Sequence, residues 1–179
     1  MYLKNYLEQF EGKKIKIYVD MDGVIADYIV GEAEKFDQKR PLYISISKLE
    51  EISKMENVEL FILSISRMDE GVEQKQKWLD KYAPFFKKEN RVIIPRESND
   101  FKSSSELKST FVKNIERDDS VIVVIDDDPR VLFGIKDICE DVVLLKDTVL
   151  VDWTNCENYV NSYKNILTFT KYGYKLLAV

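Results

Sequence analysis

Short runs of β-branched and aromatic residues recur along this chain with helical patterns between them, and that alternation limits the fold more than any other feature. The strand-like runs are Lys16–Val19 (KIYV), Leu60–Leu63 (LFIL), Val92–Ile94 (VII) and Val121–Ile125 (VIVVI), with a further VVLL after Asp141. None alternates with polar residues, so each is expected to be buried on both faces, as in a parallel sheet covered by helices. Helical patterns follow Gly23 and occupy Ser47–Met55, Met68–Phe86, Ser104–Ile115 and Arg130–Glu140, with another inside Asn155–Leu167. At the N-terminus Tyr2, Leu3, Tyr6, Leu7 and Phe10 also stand at helical spacing. The order predicts an α/β, Rossmann-like three-layer sandwich around a mainly parallel sheet. With 179 residues, no internal repeat and no linker composition, one domain over 1–179 is expected.

The chain contains no histidine. Ser-His-Asp and Cys-His nucleophilic mechanisms, HExxH metallopeptidases and nucleobase-deaminase zinc sites are therefore excluded. Cys139 and Cys156 are too few and too far apart for a zinc site or a disulfide framework and read as free thiols. No stretch approaches a membrane span, and the N-terminus lacks the apolar core of a signal peptide. A cytoplasmic protein with no membrane partner is the expectation. The formal charge of −5 weakly opposes non-specific binding to polyanions.

In parallel sheets ligands bind beyond the carboxyl ends of the strands. KIYV is followed by Asp20-Met21-Asp22-Gly23, LFIL by Ser64, and VIVVI by Asp126-Asp127-Asp128. Two carboxylates ~4 Å apart repel by roughly 4 kcal/mol at an effective dielectric near 20, so such a cluster requires a cation. Oxygen ligands without histidine or a cysteine cluster select a hard ion, and Mg²⁺ with open positions suits a phosphoryl substrate. A lysine and the Ser64 hydroxyl would complete the charge balance around the phosphate.

These residues resemble the four motifs of the haloacid dehalogenase (HAD) superfamily, in order across residues 15 to 129. The first motif stands as Val19-Asp20-Met21-Asp22-Gly23-Val24, the second as Phe61-Ile62-Leu63-Ser64, and the fourth as Val124-Ile125-Asp126-Asp127. The resemblance implies that Asp20 is the nucleophile of an aspartyl-phosphate mechanism and that Asp22 is its general acid and base. It implies that Ser64 binds the phosphoryl group and that Asp20, Asp22 through its backbone carbonyl, Asp126 and Asp127 hold Mg²⁺. Lys108 is favoured as the lysine of the third motif, with Lys102 and Lys113 as competitors. Met21 should point away from the site. Small cap or flap elements are expected within 24–57, since the interval from Asp20 to Ser64 leaves little room for a large cap.

A narrower resemblance, to the 5'(3')-deoxyribonucleotidases, lies in Asp20 to Tyr28 and in Lys77-Trp78-Leu79-Asp80-Lys81-Tyr82 followed by Phe85. The short interval after Asp20 and the serine-rich Lys102-Ser103-Ser104-Ser105 depart from that group. The implied activity is hydrolysis of a small phosphorylated substrate, a 5'- or 3'-nucleotide, and a phosphorylated nucleic-acid end is the alternative, as in polynucleotide 3'-phosphatases. A phosphoryl-accepting receiver domain and a non-catalytic HAD-like binding protein are the rivals from other classes. Receiver domains place the acid pair early and the acceptor on a central strand, the reverse of the order here, and both motif aspartates are present.

Several residues have simpler readings. Asp128 reads as the cap of a helix opened by Pro129. Trp78, Leu79, Tyr82, Phe85 and Phe86 read as core, while Tyr28 and Tyr43 are the aromatic candidates for substrate contact. Lys13-Lys14 and Lys87-Lys88 read as solvated ends of elements.

Overall fold

The computed structural model describes residues 3–28, 36–66, 69–96 and 101–150. A short helix α1 (Leu3–Leu7) leads into β1 (Ile15–Val19). Then come α2 (Tyr43–Ile52), β2 (Val58–Ser66), α3 (Asp69–Tyr82), β3 (Arg91–Pro95), α4 (Ser104–Lys113), β4 (Val121–Asp126), α5 (Pro129–Lys136) and β5 (Val142–Lys146). The five strands form one sheet in the order β3-β2-β1-β4-β5, and every pair is parallel.

Period-two geometry divides each central strand between two cores. Ile15, Ile17 and Val19 of β1, with Val123 and Ile125 of β4, face a core closed by Leu3 and Leu7 of α1, Leu49 and Ile52 of α2, and Trp78 and Leu79 of α3. Tyr18, Ile122 and Val124 face the other side, against Val112 of α4 and Val131, Leu132 and Ile135 of α5. Both faces of the sheet are covered, which is why the strands carry no polar alternation. The sandwich is a Rossmann-like α/β fold.

The chain leaves β1 toward β2 and β3, then crosses back to place β4 on the other side of β1. That reversal is the topological switch point, where neighbouring strand ends diverge and a crevice opens. Asp20 follows β1 there and Asp126 ends β4; the Asp20 amide still donates to the Ile125 carbonyl at 3.0 Å, so the two acids leave adjacent strands side by side.

Three expectations shift. The stretch after Gly23 forms no helix over 24–28, because the amides of Val24, Ile25 and Ala26 all turn back to the Met21 carbonyl, and Ala26 bridges Asp22 and Pro41. A 3-10 turn follows at Phe36–Gln38, and residues 29–35 lie outside the described residues. β2 continues to Ser66, so Ser64 lies inside the strand rather than beyond it; β3 pairs with this extension through Ser66 and Pro95. α2 starts at Tyr43, four residues before the expected helix. The expected helix in Asn155–Leu167, the aromatic end with Tyr172 and Tyr174, and Cys156 lie outside the described residues. No helix among the described residues is long and apolar enough to cross a membrane.

Candidate active site

Gly23 carries φ +77°, which allows the chain to turn immediately after the first two acids, and a Cβ added there would lie 2.3 Å from the Asp127 Oδ2 atom. The glycine therefore lets the loop after β1 close onto the carboxylates after β4. Met21, between the two acids, is fully buried in the core and points away from them, as expected. Asp128 caps α5, its side chain accepting from the Arg130 amide at 2.9 Å, with Pro129 at the first helical position.

Carboxylate oxygens of Asp20, Asp126 and Asp127 lie within 4.8 Å of one another. Lys108 joins this group from α4: its Nζ donates to Asp20 Oδ1 and to Asp126 Oδ2, each at 2.7 Å, and the side chain is 4% exposed. Burial works against the ammonium, but the two carboxylates outweigh it and hold its pKa above the usual lysine range. Lys102 and Lys113, the competitors for this position, are exposed.

One lysine does not neutralise the group. Burial raises the Asp126 carboxyl to about 6; Lys108 opposes this and Asp20 adds to it. Asp127 is raised to about 7 by burial and then by the charges of Asp20 and Asp126. Three hard oxygen donors gathered at one point, with protons held by burial and mutual repulsion, fit a small divalent cation such as Mg²⁺.

Asp22 is treated differently. Its carboxylate stands outside the acidic trio and is gripped by two buried lysines, Lys39 at Oδ1 and Lys75 at Oδ2, the latter at 2.7 Å. Burial raises its pKa, but Lys75 and Lys39 prevail and hold it below the ordinary carboxylate range. Lys75 also donates to the Ser64 hydroxyl at 2.7 Å and to the Ile65 carbonyl at 2.9 Å, and it lies 4.5 Å over the Phe36 ring. Burial pushes this ammonium below the usual lysine range against the pull of Asp22 and Asp20.

Reasoning from sequence alone did not reach Lys75 or Lys39. The signal for Lys75 was its spacing: positions 75, 78, 79 and 82 share one helical face, so a lysine stands in the row that buries Trp78 and Leu79. Lys39 carries no such pattern. It is fixed by tertiary contacts, its carbonyl accepting from the Trp78 indole at 2.9 Å. The expected core role of Trp78, Leu79 and Phe86 holds, with Tyr82 and Phe85 packed at its margin.

These groups line a cavity of about 520 Å³. Asp20, Asp22, Ser64, Lys75, Lys108 and Asp126 all border it, together with the aromatic rings of Tyr28 and Phe36. Tyr43 is exposed on α2 and is not among the lining residues, so of the two tyrosines considered for substrate contact only Tyr28 is brought to the site.

No protein-family model matches the chain, and no curated protein is detectably similar to it in sequence. Solved structures do match. A chain of the Pnkp1/Rnl/Hen1 RNA repair complex superposes with a TM-score of 0.56 at 16% identity, over 76% of this chain and 43% of that one. A second structure of the Pnkp1/Rnl/Hen1 complex gives 0.56 at 13% identity, over 76% and 46%. The D,D-heptose 1.7-bisphosphate phosphatase from B. bronchiseptica, complexed with magnesium and phosphate, gives 0.55 at 11% identity, over 74% and 79%. The chain thus spans less than half the length of the RNA-repair chains it matches. At these identities the likeness is one of fold, the α/β Rossmann-like sandwich around a parallel sheet that the order of strands and helices predicts.

Proposed function

We propose that this protein is a Mg²⁺-dependent phosphomonoester hydrolase acting through an aspartyl phosphate on Asp20, with a nucleotide as substrate. The observation that carries the reading is the convergence of Asp20, Asp126 and Asp127 at the switch point with Lys108 bridging two of them. Asp20, Asp126 and Asp127, with the Asp22 carbonyl, would hold the ion, which supplies charge neutralisation of the phosphoryl oxygens when bound.

The chain's own groups divide the remaining work. A carboxylate oxygen of Asp20 attacks phosphorus and the ester oxygen leaves; water then attacks the phosphorus and releases Asp20, so hydrolysis is split into two displacements. Lys108, which pairs with Asp20, offers its remaining proton toward the phosphoryl group. Ser64 and Lys75 stand where they can donate to the phosphoryl oxygens. Asp22 exchanges the proton with the leaving oxygen and then with water. Its two lysine partners favour its ionised, base form, and a phosphoryl group that draws Lys75 away would loosen that grip for the acid step.

The RNA repair complex among the structural matches supports a second reading, hydrolysis at a phosphorylated nucleic-acid end. The deciding experiment measures phosphate release with Mg²⁺ and with chelator from 5'- and 3'-nucleotides, a 3'-phosphorylated oligonucleotide and sugar phosphates. Release that requires Mg²⁺ and disappears in Asp20→Asn, with the fold retained, is the expected result; full activity in Asp20→Asn would overturn the assigned nucleophile. Preference for the oligonucleotide would select the second reading.

A further inference from the structure

Lys75, Lys108 and Arg130, which all line the cavity, are each paired with a carboxylate. Arg96 lines it too, and no carboxylate pairs with it among the described residues. Its backbone is fixed where β3 ends, the amide donating to the Ser66 carbonyl at 2.7 Å. Among the described residues its side chain makes one hydrogen bond, from Nη2 to the Ser104 hydroxyl at 2.9 Å, and its buried Nε has no partner. An underbonded guanidinium in a cavity wall is unfavourable unless a ligand supplies the missing acceptors.

Its location defines what that ligand must be. Ser104 and Lys108 stand four residues apart on α4 and so share a face, with roughly 5–6 Å between their Cβ atoms. Lys108 marks the place of the reacting phosphate in the reading given above, on which this inference rests. Arg96 and Ser104 therefore sit about one helical turn from it, on the same cavity wall. A volume of about 520 Å³ also leaves room for much more than one phosphoryl group.

We propose that Arg96 and Ser104 form a second anion subsite, which takes a phosphate of the substrate other than the one cleaved. The guanidinium fork suits a phosphate, which provides the acceptor that Nε lacks, and the Ser104 hydroxyl, already accepting from Nη2, keeps its proton to donate. The substrate is then a phosphomonoester with a second phosphate nearby. A nucleoside 3',5'-bisphosphate, a sugar bisphosphate and a 3'-phosphorylated dinucleotide share that chemistry, and Tyr28 and Phe36 add aromatic surface to the same cavity for a base.

The test is calorimetric binding to Asp20→Asn protein in Mg²⁺, comparing thymidine 3',5'-bisphosphate, the 3'-phosphorylated dinucleotide and fructose 1,6-bisphosphate with thymidine 3'- and 5'-monophosphate. At least one ligand with two phosphates should bind about tenfold or more tightly than the monophosphates, and which one does so identifies the source. Adding Arg96→Met should collapse that difference, while Arg96→Lys, which keeps charge without the fork, should retain part of it. Because Arg96→Met removes an unpartnered buried donor, its melting temperature should match that of the parent. Equal affinities for both ligand classes, a preference that survives Arg96→Met, or a large fall in melting temperature showing a purely structural arginine would each overturn the subsite. Failure of the phosphatase reading looks different: no phosphate release by the wild-type protein, with the binding difference intact.

Discussion

Replacing Lys108 by methionine removes the one cation among the described residues that touches both Asp20 and Asp126. At an effective dielectric of 20, each 2.7 Å contact attracts by about 6 kcal/mol, and desolvation of the buried groups offsets much of this. Removing one member of such a buried cluster costs about 3–5 kcal/mol, or roughly 6–20 °C in Tm for a chain of this size. The loss must depend on pH. Asp126 and Asp127 are raised in the folded state to about 6 and about 7, so the fold binds protons that the unfolded chain releases near 4. Their ionisation therefore destabilises the fold as pH rises through 6 to 7, and without Lys108 the penalty grows. Thermal unfolding followed by circular dichroism, without metal, should show a large Tm deficit for Lys108→Met at pH 8 and a small one at pH 5, where both carboxyls are already neutral. Mg²⁺ at pH 8 should recover part of it, while kcat stays depressed by roughly 10²–10³-fold. An equal deficit at both pH values, or none at pH 8, would show that Lys108 does not neutralise this cluster.

The same carboxyls make Mg²⁺ compete with protons: the rise in wild-type Tm on adding Mg²⁺ should be full at pH 8 and fade below the values of about 7 and about 6 of Asp127 and Asp126, and a pH-independent rise would place the ion elsewhere. Gly23→Ala puts a β-carbon into a backbone with φ +77° and 2.3 Å from Asp127 Oδ2, so it should cost about 1–3 kcal/mol in chemical denaturation and sharply weaken the Mg²⁺-induced Tm rise. A variant with the wild-type metal response would show that Asp127 is not a ligand.

Much of this architecture is legible in the sequence because local chemistry and global position coincide in it. Val121–Ile125 is apolar on both faces because two helical layers cover it, and it ends in acids because it ends at the switch point. Asp20, Ser64 and Asp126 are found by looking beyond or near the ends of such runs. Lys108 is favoured over Lys102 and Lys113 only through the motif resemblance, and the structure brings it to Asp20. What the sequence conceals is tertiary. Lys39 lies in no periodic element, and its burial follows from tertiary partners, the Trp78 indole, Asp22 and the Phe36 ring. The extension of β2 to Ser66 is invisible in a run read as ending at Leu63, because its serines break the apolar pattern and its pairing with β3 and the bond from Lys75 to Ser64 are tertiary. The helical pattern after Gly23 is likewise overridden by a local turn, where three amides share the Met21 carbonyl in place of a helix.

The grip of Lys39 and Lys75 on Asp22 also has an evolutionary consequence. A descendant that lost Asp22 alone would keep two ammonium groups sealed in the interior, at a cost of about 3–5 kcal/mol, a large part of what holds a domain folded. Exchange of the whole cluster for apolar side chains is far cheaper. Drift toward an inactive relative should therefore proceed by paired losses, with Lys39 and Lys75 replaced by methionine or leucine wherever Asp22 has gone. Among divergent copies of this chain, an intact pair of lysines beside a missing Asp22 should be the rarest combination.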